Sequence, residues 1–167
     1  MNAERIEDFS KTYLEHSMVI NNFVIRVGSQ IRDSLCRVFG DSVQYEWAEN
    51  ENRVIIPDAS IICNLRDRKN VSFTGIPRMV MEVLSHSTEQ YDRNEKMNIY
   101  AKVGVSEYWI TDWRTKKVEI YLFDFDEKDP PYPYLFKTVT KENEKDLQLV
   151  MFPNLKITFD ELFDIGE

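Results

Sequence analysis

The chain has 167 residues, 43% of them hydrophobic and 30% charged, the composition of a globular protein with one sizeable core. Its formal net charge of −8 argues against a protein that coats nucleic acid through bulk basic charge, but it leaves room for a local basic groove. No apolar run approaches the roughly 20 residues of a membrane span, and "MNAERIEDFSK" has no apolar signal core, so a cytoplasmic protein outside the membrane is expected.

Apolar residues at Val19, Ile20, Phe23, Val24, Val27, Ile31, Leu35 and Phe39 recur at helical spacing and predict a first helix over 14–39, broken by "FGD". "SVQYEW" and "RVIIPDASIIC" read as two strands, "NLRDRKNVSFTGIP" as a polar connection and "RMVMEVL" as a third strand. A second helix is expected over 88–102. Ser87 and Gln90 form its capping-box pattern, and Gly104 is its C-terminal cap. "SEYWITD" and "KKVEIYLFDF" follow as strands. "KDPPYPY" is a Pro-rich loop whose Tyr132 and Tyr134 read either as base-stacking rings or as ordinary exposed tyrosines. "LFKTV", "LQLVMF" and a short helix "FDELF" close the chain. The order is helix, three strands, helix, strand, then further strands. It describes one α/β domain over 1–167 with a mixed sheet covered by helices on one face. Cys36 and Cys63 lack metal-ligand spacing and read as buried, reduced thiols. His16 and His86 are too few to build a zinc site with them.

Two acids stand out. Glu82 is the one charge in "MVMEVLS", and Asp58 is the one charge in "VIIPDASIIC". A buried, unpaired carboxylate is costly, so each needs a partner. Alternation along a strand puts Ile56, Asp58 and Ser60 on one face, and Val80, Glu82 and Leu84 on one face. If the strands are neighbours, the two carboxylates converge, and a cation between them removes their repulsion. Oxygen donors of this kind suit Mg2+ or Mn2+. The alternative pairs each acid with a nearby arginine, Arg53 or Arg78. In the second helix, Asp92, Lys96 and Tyr100 recur every four residues on one face. They form either a solvated ion pair or, if Lys96 points back at the Glu82 strand, a cation beside the carboxylates. No G-x-S-x-G elbow and no phosphate-cradling glycine loop is present, so Ser85, Ser87 and Thr88 read as capping residues.

The run "PDASIIC", followed by "GIPRMVMEVLSHSTEQYDRNEKMNIYAKVGVSEYWITD", resembles the Uma-two-type family, within the PD-(D/E)XK superfamily of restriction-endonuclease-like nucleases. The shared pattern is a Pro-Asp strand, a Glu strand, an Asp-x-x-x-Lys helix and Gly-Val-x-Glu-Tyr-Trp, strongest from Pro57 to Asp112. The resemblance implies a restriction-endonuclease-like mixed sheet with extra C-terminal strands. It also implies a Mg2+-dependent (or Mn2+-dependent) endonuclease acting on DNA, and it leaves a homodimer open. Asp58 and Glu82 would hold the metal together with the Val83 carbonyl, Lys96 would be catalytic, and Asp92 and Tyr100 would support it. Leu84 stands where the superfamily usually has its lysine, His86 where the family usually has proline, and the segment before the first helix is short. A third acid is open between Glu15 and Glu46. The rival expectation is a catalytically inactive member of the same fold that serves as a binding or assembly module. A basic face around Lys96, Arg93, Arg66, Arg68 and Lys69 would favour the nuclease, and an acidic mouth the rival.

Overall fold

The structure, a computed structural model, describes residues 13–32, 34–123 and 133–167. Helix α1 (Leu14–Gly28) buries Val19, Ile20, Phe23 and Val27, the stripe expected of an amphipathic helix on a sheet. It ends at Gly28, where the Ser29 hydroxyl donates to the Arg26 carbonyl. The helix expected over 14–39 is therefore too long. Ile31 is buried but Leu35 is 85% exposed, and Arg37–Phe39 form strand β1. The helical spacing of those last apolar residues is accidental: Ile31 and Leu35 lie between α1 and β1, and Phe39 belongs to the edge strand.

The remaining strands are β2 (Gln44–Glu46), β3 (Val54–Ile55), β4 (Ala59–Ile62), β5 (Arg68–Lys69), β6 (Ser72–Phe73), β7 (Met79–Val83), β8 (Glu107–Asp112), β9 (Lys117–Phe123) and β10 (Pro133–Val139). The large sheet has the order β1-β4-β7-β8-β9-β10, and a small sheet has the order β3-β2-β6-β5. Among the described strands of the large sheet only β7 and β8 are parallel. Parallel neighbours need a crossover, and helix α2 over residues 89–103 supplies it. The strand expected across "RVIIPDASIIC" is two strands in different sheets. Pro57 has no N–H to give a ladder, and the chain changes sheets there. The polar connection contains the β5–β6 hairpin. "LQLVMF" forms no strand; Leu147 and Leu149 instead pack into the core. Residues 128–132 of the Pro-rich loop, including Tyr132, lie outside the described residues; Tyr134 is a half-exposed residue of β10.

Both faces of the large sheet are covered, not one. Met79, Met81, Val83 and Trp109 pack with α1 and with C-terminal residues that include Leu149, Phe159 and Leu162, the last two from the short helix α3 (Phe159–Leu162). Val80, Leu84, Tyr108 and Ile110 pack with Met97, Tyr100 and Ala101 of α2, and with Tyr45, Trp47 and Ile55 from around the small sheet. Glu82 lies between Val80 and Leu84 and so faces α2. Helix α2 stops at Gly104, whose φ of 104° is the left-handed cap conformation. At its start the expected capping box is absent. Thr88 is the N-cap without a side-chain cap bond, and Ser85 and Thr88 hydroxyls meet at 2.8 Å.

Cys36 and Cys63 form a disulfide, which corrects the reading of two reduced thiols. The cause is the β1–β4 ladder. Arg37 pairs with Ile62, so the residues one step outside the pair face each other. Among the described residues no helix is long and apolar enough to cross a membrane.

Candidate active site

Strands β4 and β7 run antiparallel with Ala59 opposite Met81 and Ser60 opposite Val80. One step further along that register, Asp58 comes opposite Glu82. The two residues are tied directly. Val83 N–H donates to Asp58 Oδ2 at 2.7 Å, and Asp58 N–H reaches Glu82 Oε2 at 3.4 Å. Neither acid pairs with the arginines considered from sequence. Arg53 pairs with Glu51 and the Asn50 side chain, and Arg78 lies over the Phe152 ring.

Glu82 is 1% exposed, and α2 supplies its partners. Tyr100 donates its hydroxyl to Glu82 Oε1 at 2.6 Å, and the Lys96 ammonium stands 3.0 Å from the same oxygen. Lys96 Nζ is also 3.4 Å from Asp92 Oδ1, an oxygen that accepts no hydrogen bond. The Thr88 hydroxyl donates to Asp92 Oδ2 at 2.9 Å, and Tyr108 donates to the Asp92 carbonyl at 2.8 Å. Helix geometry explains the convergence. Side chains four apart drift by about 40° in an ordinary α-helix, but residues Asp92–Lys96 form a π-helical turn. Its wider winding offsets the drift and holds Asp92, Lys96 and Tyr100 toward β7. Such turns recur at functional sites.

The charges set each other's ionisation. Burial raises the Glu82 pKa well above the usual range, and the Asp58 charge adds to this against the opposing pull of Lys96 and Tyr100. Asp92 is likewise raised by burial, opposed by Lys96 and Thr88. Burial also raises Asp58, but His16, Val83 N–H and Lys96 outweigh it, so the pKa is lowered. Burial works against the Lys96 charge, yet Glu82 and Asp92 overcome it, and the ammonium is held more tightly than usual. Burial carries the Tyr100 hydroxyl well above its ordinary value, so it serves as a donor.

His16 belongs to this cluster and was not foreseen. Its Nε2 lies 3.4 Å from Asp58 Oδ2, with the side chain 14% exposed. A signal was present: His16 lies three, four and seven residues before Val19, Ile20 and Phe23, so it extends the buried stripe of α1 with a polar residue.

A family described as "Putative restriction endonuclease" (Uma2) matches residues 3–160. The chain belongs to the Uma2 family. A crystal structure described as a "putative nuclease belonging to DUF820" from Anabaena variabilis resembles it with a TM-score of 0.67, over 90% of this chain and 81% of that one. At 18% identity that is a likeness of fold, and the mixed sheet with its crossover helix is the restriction-endonuclease-like arrangement. An uncharacterised protein of Synechocystis sp. is 32% identical over 87 residues, 52% of this chain and 45% of that relative, so the chain spans about half the relative's length.

The other candidates fall elsewhere in this Uma2 protein. Glu46 accepts from the Ser72 hydroxyl on the small sheet, and Glu15 has no bond to the cluster among the described residues; the third carboxylate beside Glu82 is Asp92. The residues whose basic face would favour the nuclease divide. Arg93 is engaged by Glu119 at 2.6 Å and by Glu89, and Lys96 is inside the cluster. Arg66, Arg68 and Lys69 are exposed on and beside β5, and none of them forms an ion pair among the described residues. Glu107, a buried carboxylate not singled out from sequence, accepts from Trp109 Nε1, Val150 N–H and Met151 N–H, and so has a structural role.

The oxygens at these strand ends are of the type that a hard divalent cation takes. Asp58, Glu82 and the Val83 carbonyl offer oxygens from two adjacent strand ends; burial first and the Asp58 charge second raise Glu82, and a cation would relieve the second of these. As they stand, no three His, Cys, Asp or Glu side chains among the described residues form a ready cage for an ion. A site of this kind leans on the carbonyl, water and substrate oxygens, as Mg2+ sites usually do.

Proposed function

We propose that the protein is a metal-dependent endonuclease that hydrolyses DNA phosphodiester bonds. The observation that carries this reading is the pair Asp58 and Glu82 side by side at the end of β4 and β7, with the Lys96 ammonium 3.0 Å from Glu82. Family membership supplies the reaction class.

Mg2+ or Mn2+ held by Asp58, Glu82 and the Val83 carbonyl would supply Lewis-acid polarisation of the phosphate and acidify a bound water. The chain's own residues do the rest. Lys96 keeps its proton under the pull of Glu82 and Asp92, so it acts as a fixed cation that orients the attacking water or a phosphate oxygen, and not as a base. Asp92 positions Lys96 from one side, Tyr100 fixes Glu82 Oε1, and Val83 N–H fixes Asp58 Oδ2. In-line attack then leaves a 5′-phosphate, the product implied by the superfamily. Arg66, Arg68 and Lys69 give the DNA backbone a place to bind outside the cluster, although the chain as a whole is acidic.

The rival reading, a binding module without turnover, has support in Leu84, fully buried where a lysine is usual, and in the net charge of −8. One assay decides between them. Linear and supercoiled DNA are incubated with wild type, Asp58→Ala and Glu82→Gln, with Mg2+, Mn2+ or chelator. The nuclease reading expects cleavage by wild type alone and only with metal. Cleavage by Glu82→Gln prepared free of contaminating nuclease overturns the assignment, and DNA binding without cleavage by wild type establishes the rival.

A further inference from the structure

The reaction as proposed leaves a groove beside the cluster without a role. It is a cavity of about 350 Å3 between the edge strand β1 and the β5–β6 hairpin, with Phe39, Val43, Arg68, Asn70, Val71 and Phe73 in its lining. That size is at the lower end for small-ligand pockets, roughly 300–1,000 Å3. Two half-buried rings meet there. Phe39 and Phe73 lie 5.5 Å apart, and Phe73 lies 5.7 Å from the buried ring of Tyr45. Arg68 is opposite Phe73 in the hairpin, and its guanidinium sits over the Phe73 ring, 5.6 Å from the centre. A flat cation thus already stacks in the groove. The groove lies on the carboxylates' side of the large sheet. Phe39 pairs with Ser60 across the β1–β4 ladder and packs on the face that Glu82 shares with α2. Tyr45 ties the two parts together, since its ring meets Phe73 and its hydroxyl bonds the Ser60 hydroxyl at 2.8 Å. Asp58 is two residues from Ser60, roughly 7 Å along the strand direction. The chain after Phe39 passes beside it, because a Cβ on Gly40 would come 4.0 Å from the Asp58 carbonyl.

We propose that this groove takes an unpaired nucleobase of the DNA strand whose phosphate lies at Asp58 and Glu82. This rests on the DNA-cleaving reading above and names the form of its substrate, a single-stranded or locally opened segment. Charge and shape together select this occupant. A base has a flat π-face for Phe39 and Phe73, and its strand has phosphates for Arg66, Arg68 and Lys69, in a chain whose net charge of −8 otherwise repels DNA. The Arg68 guanidinium is kept at the groove by the bond from its Nε to the Leu65 carbonyl at 2.6 Å, so it meets the phosphate adjoining the stacked base. A paired base inside a duplex is stacked on both faces and cannot enter, so the groove takes a base only from an open strand or one swung out of the stack.

Binding is measured on the full chain in chelator, apart from any metal-dependent cleavage. Fluorescence anisotropy compares an oligothymidylate, an abasic strand with the same number of phosphates, and the oligothymidylate annealed to its complement. The proteins are wild type, Phe39→Leu and Phe73→Leu, with thermal melts to confirm folding. Leucine keeps an apolar side chain and removes the ring. Wild type is expected to bind the oligothymidylate at least about fivefold more tightly than the abasic strand, the effect of one stacked base. Both variants lose that preference, while their duplex affinity and the salt slope of their binding stay as in wild type. A second measurement needs no variant. An oligothymidylate carrying iodouracil is irradiated with wild type, and the crosslinked residue, located by mass spectrometry, is expected to be Phe39 or Phe73. Equal binding of the two single strands by wild type, no binding of either, or crosslinks confined to residues outside the groove overturns the proposal. Metal-dependent cleavage in the assay above then leaves the nuclease reading standing. A base preference that is lost in both variants, in a protein that cleaves no DNA, keeps the groove as a base-binding site and overturns the cleavage reading instead.

Discussion

Lys96→Met separates the structural and chemical work of one ammonium. Lys96 is the cation paired with both Glu82 and Asp92 among the described residues, and the two acids are 1% exposed each. Methionine keeps an apolar stem of similar reach and removes the charge. Removing one partner of a buried ion pair costs about 3–5 kcal/mol, because the other charge stays buried. For a chain of this size each kcal/mol moves the melting temperature by about 2–4 °C, so a fall of roughly 6–20 °C is expected at pH 8. The sign of the pH dependence is fixed. Glu82 and Asp92 already have raised pKa values, and losing Lys96 raises them further. Groups with folded pKa values above their unfolded ones bind extra protons in the folded state, so stability falls as pH rises above the unfolded carboxylate range. The deficit is therefore small near pH 5 and grows toward pH 8, where the acids must carry unpaired charge or hold protons against the solvent. Thermal melts of metal-free wild type and variant across this range give the answer. A variant that melts with wild type at pH 8, or a deficit independent of pH, refutes the reasoning.

Tyr100→Phe removes the 2.6 Å hydrogen bond to Glu82 and nothing else of size; a loss of about 1.5–3 kcal/mol is expected by chemical denaturation, with weaker Mg2+ binding because Glu82 then holds its proton more tightly. Glu82→Gln in metal-free protein loses less stability at neutral pH than Lys96→Met, since burial already disfavours the ionised form of Glu82 and Asp92 still pairs with Lys96; an equal or larger loss would contradict the assigned direction. Replacing Arg66, Arg68 and Lys69 together by Ala lowers DNA affinity in chelator and reduces the salt slope of binding by roughly 2–3, if each cation meets a phosphate. An unchanged slope places the DNA elsewhere.

Much of the cluster was legible because charge inside an apolar run is a strong signal. Asp58 and Glu82 stood out for that reason, and the four-residue spacing of Asp92, Lys96 and Tyr100 placed them on one face. What was not legible depended on long-range pairing. Strand β1 was hidden because Ile31, Leu35 and Phe39 continued the period of α1 by accident, and with β1 hidden the facing of Cys36 and Cys63 was hidden too. The change of sheet at Pro57 left no periodic trace, since the residues on both sides are apolar. The π-helical turn needs the strands as a reference before its winding shows. His16 lay on the buried stripe of α1, but a histidine there is as easily a packed core residue, and only the β4–β7 ladder brings Asp58 to it.

The central claim is that Asp58 and Glu82 share one divalent cation. Its most direct test is a calorimetric titration of Mg2+ or Mn2+ into the wild-type protein and Asp58→Ala under identical conditions. The account predicts saturable binding at one site per chain in wild type and its loss in the variant, with the variant still folded. Equal binding isotherms for the two proteins would contradict it.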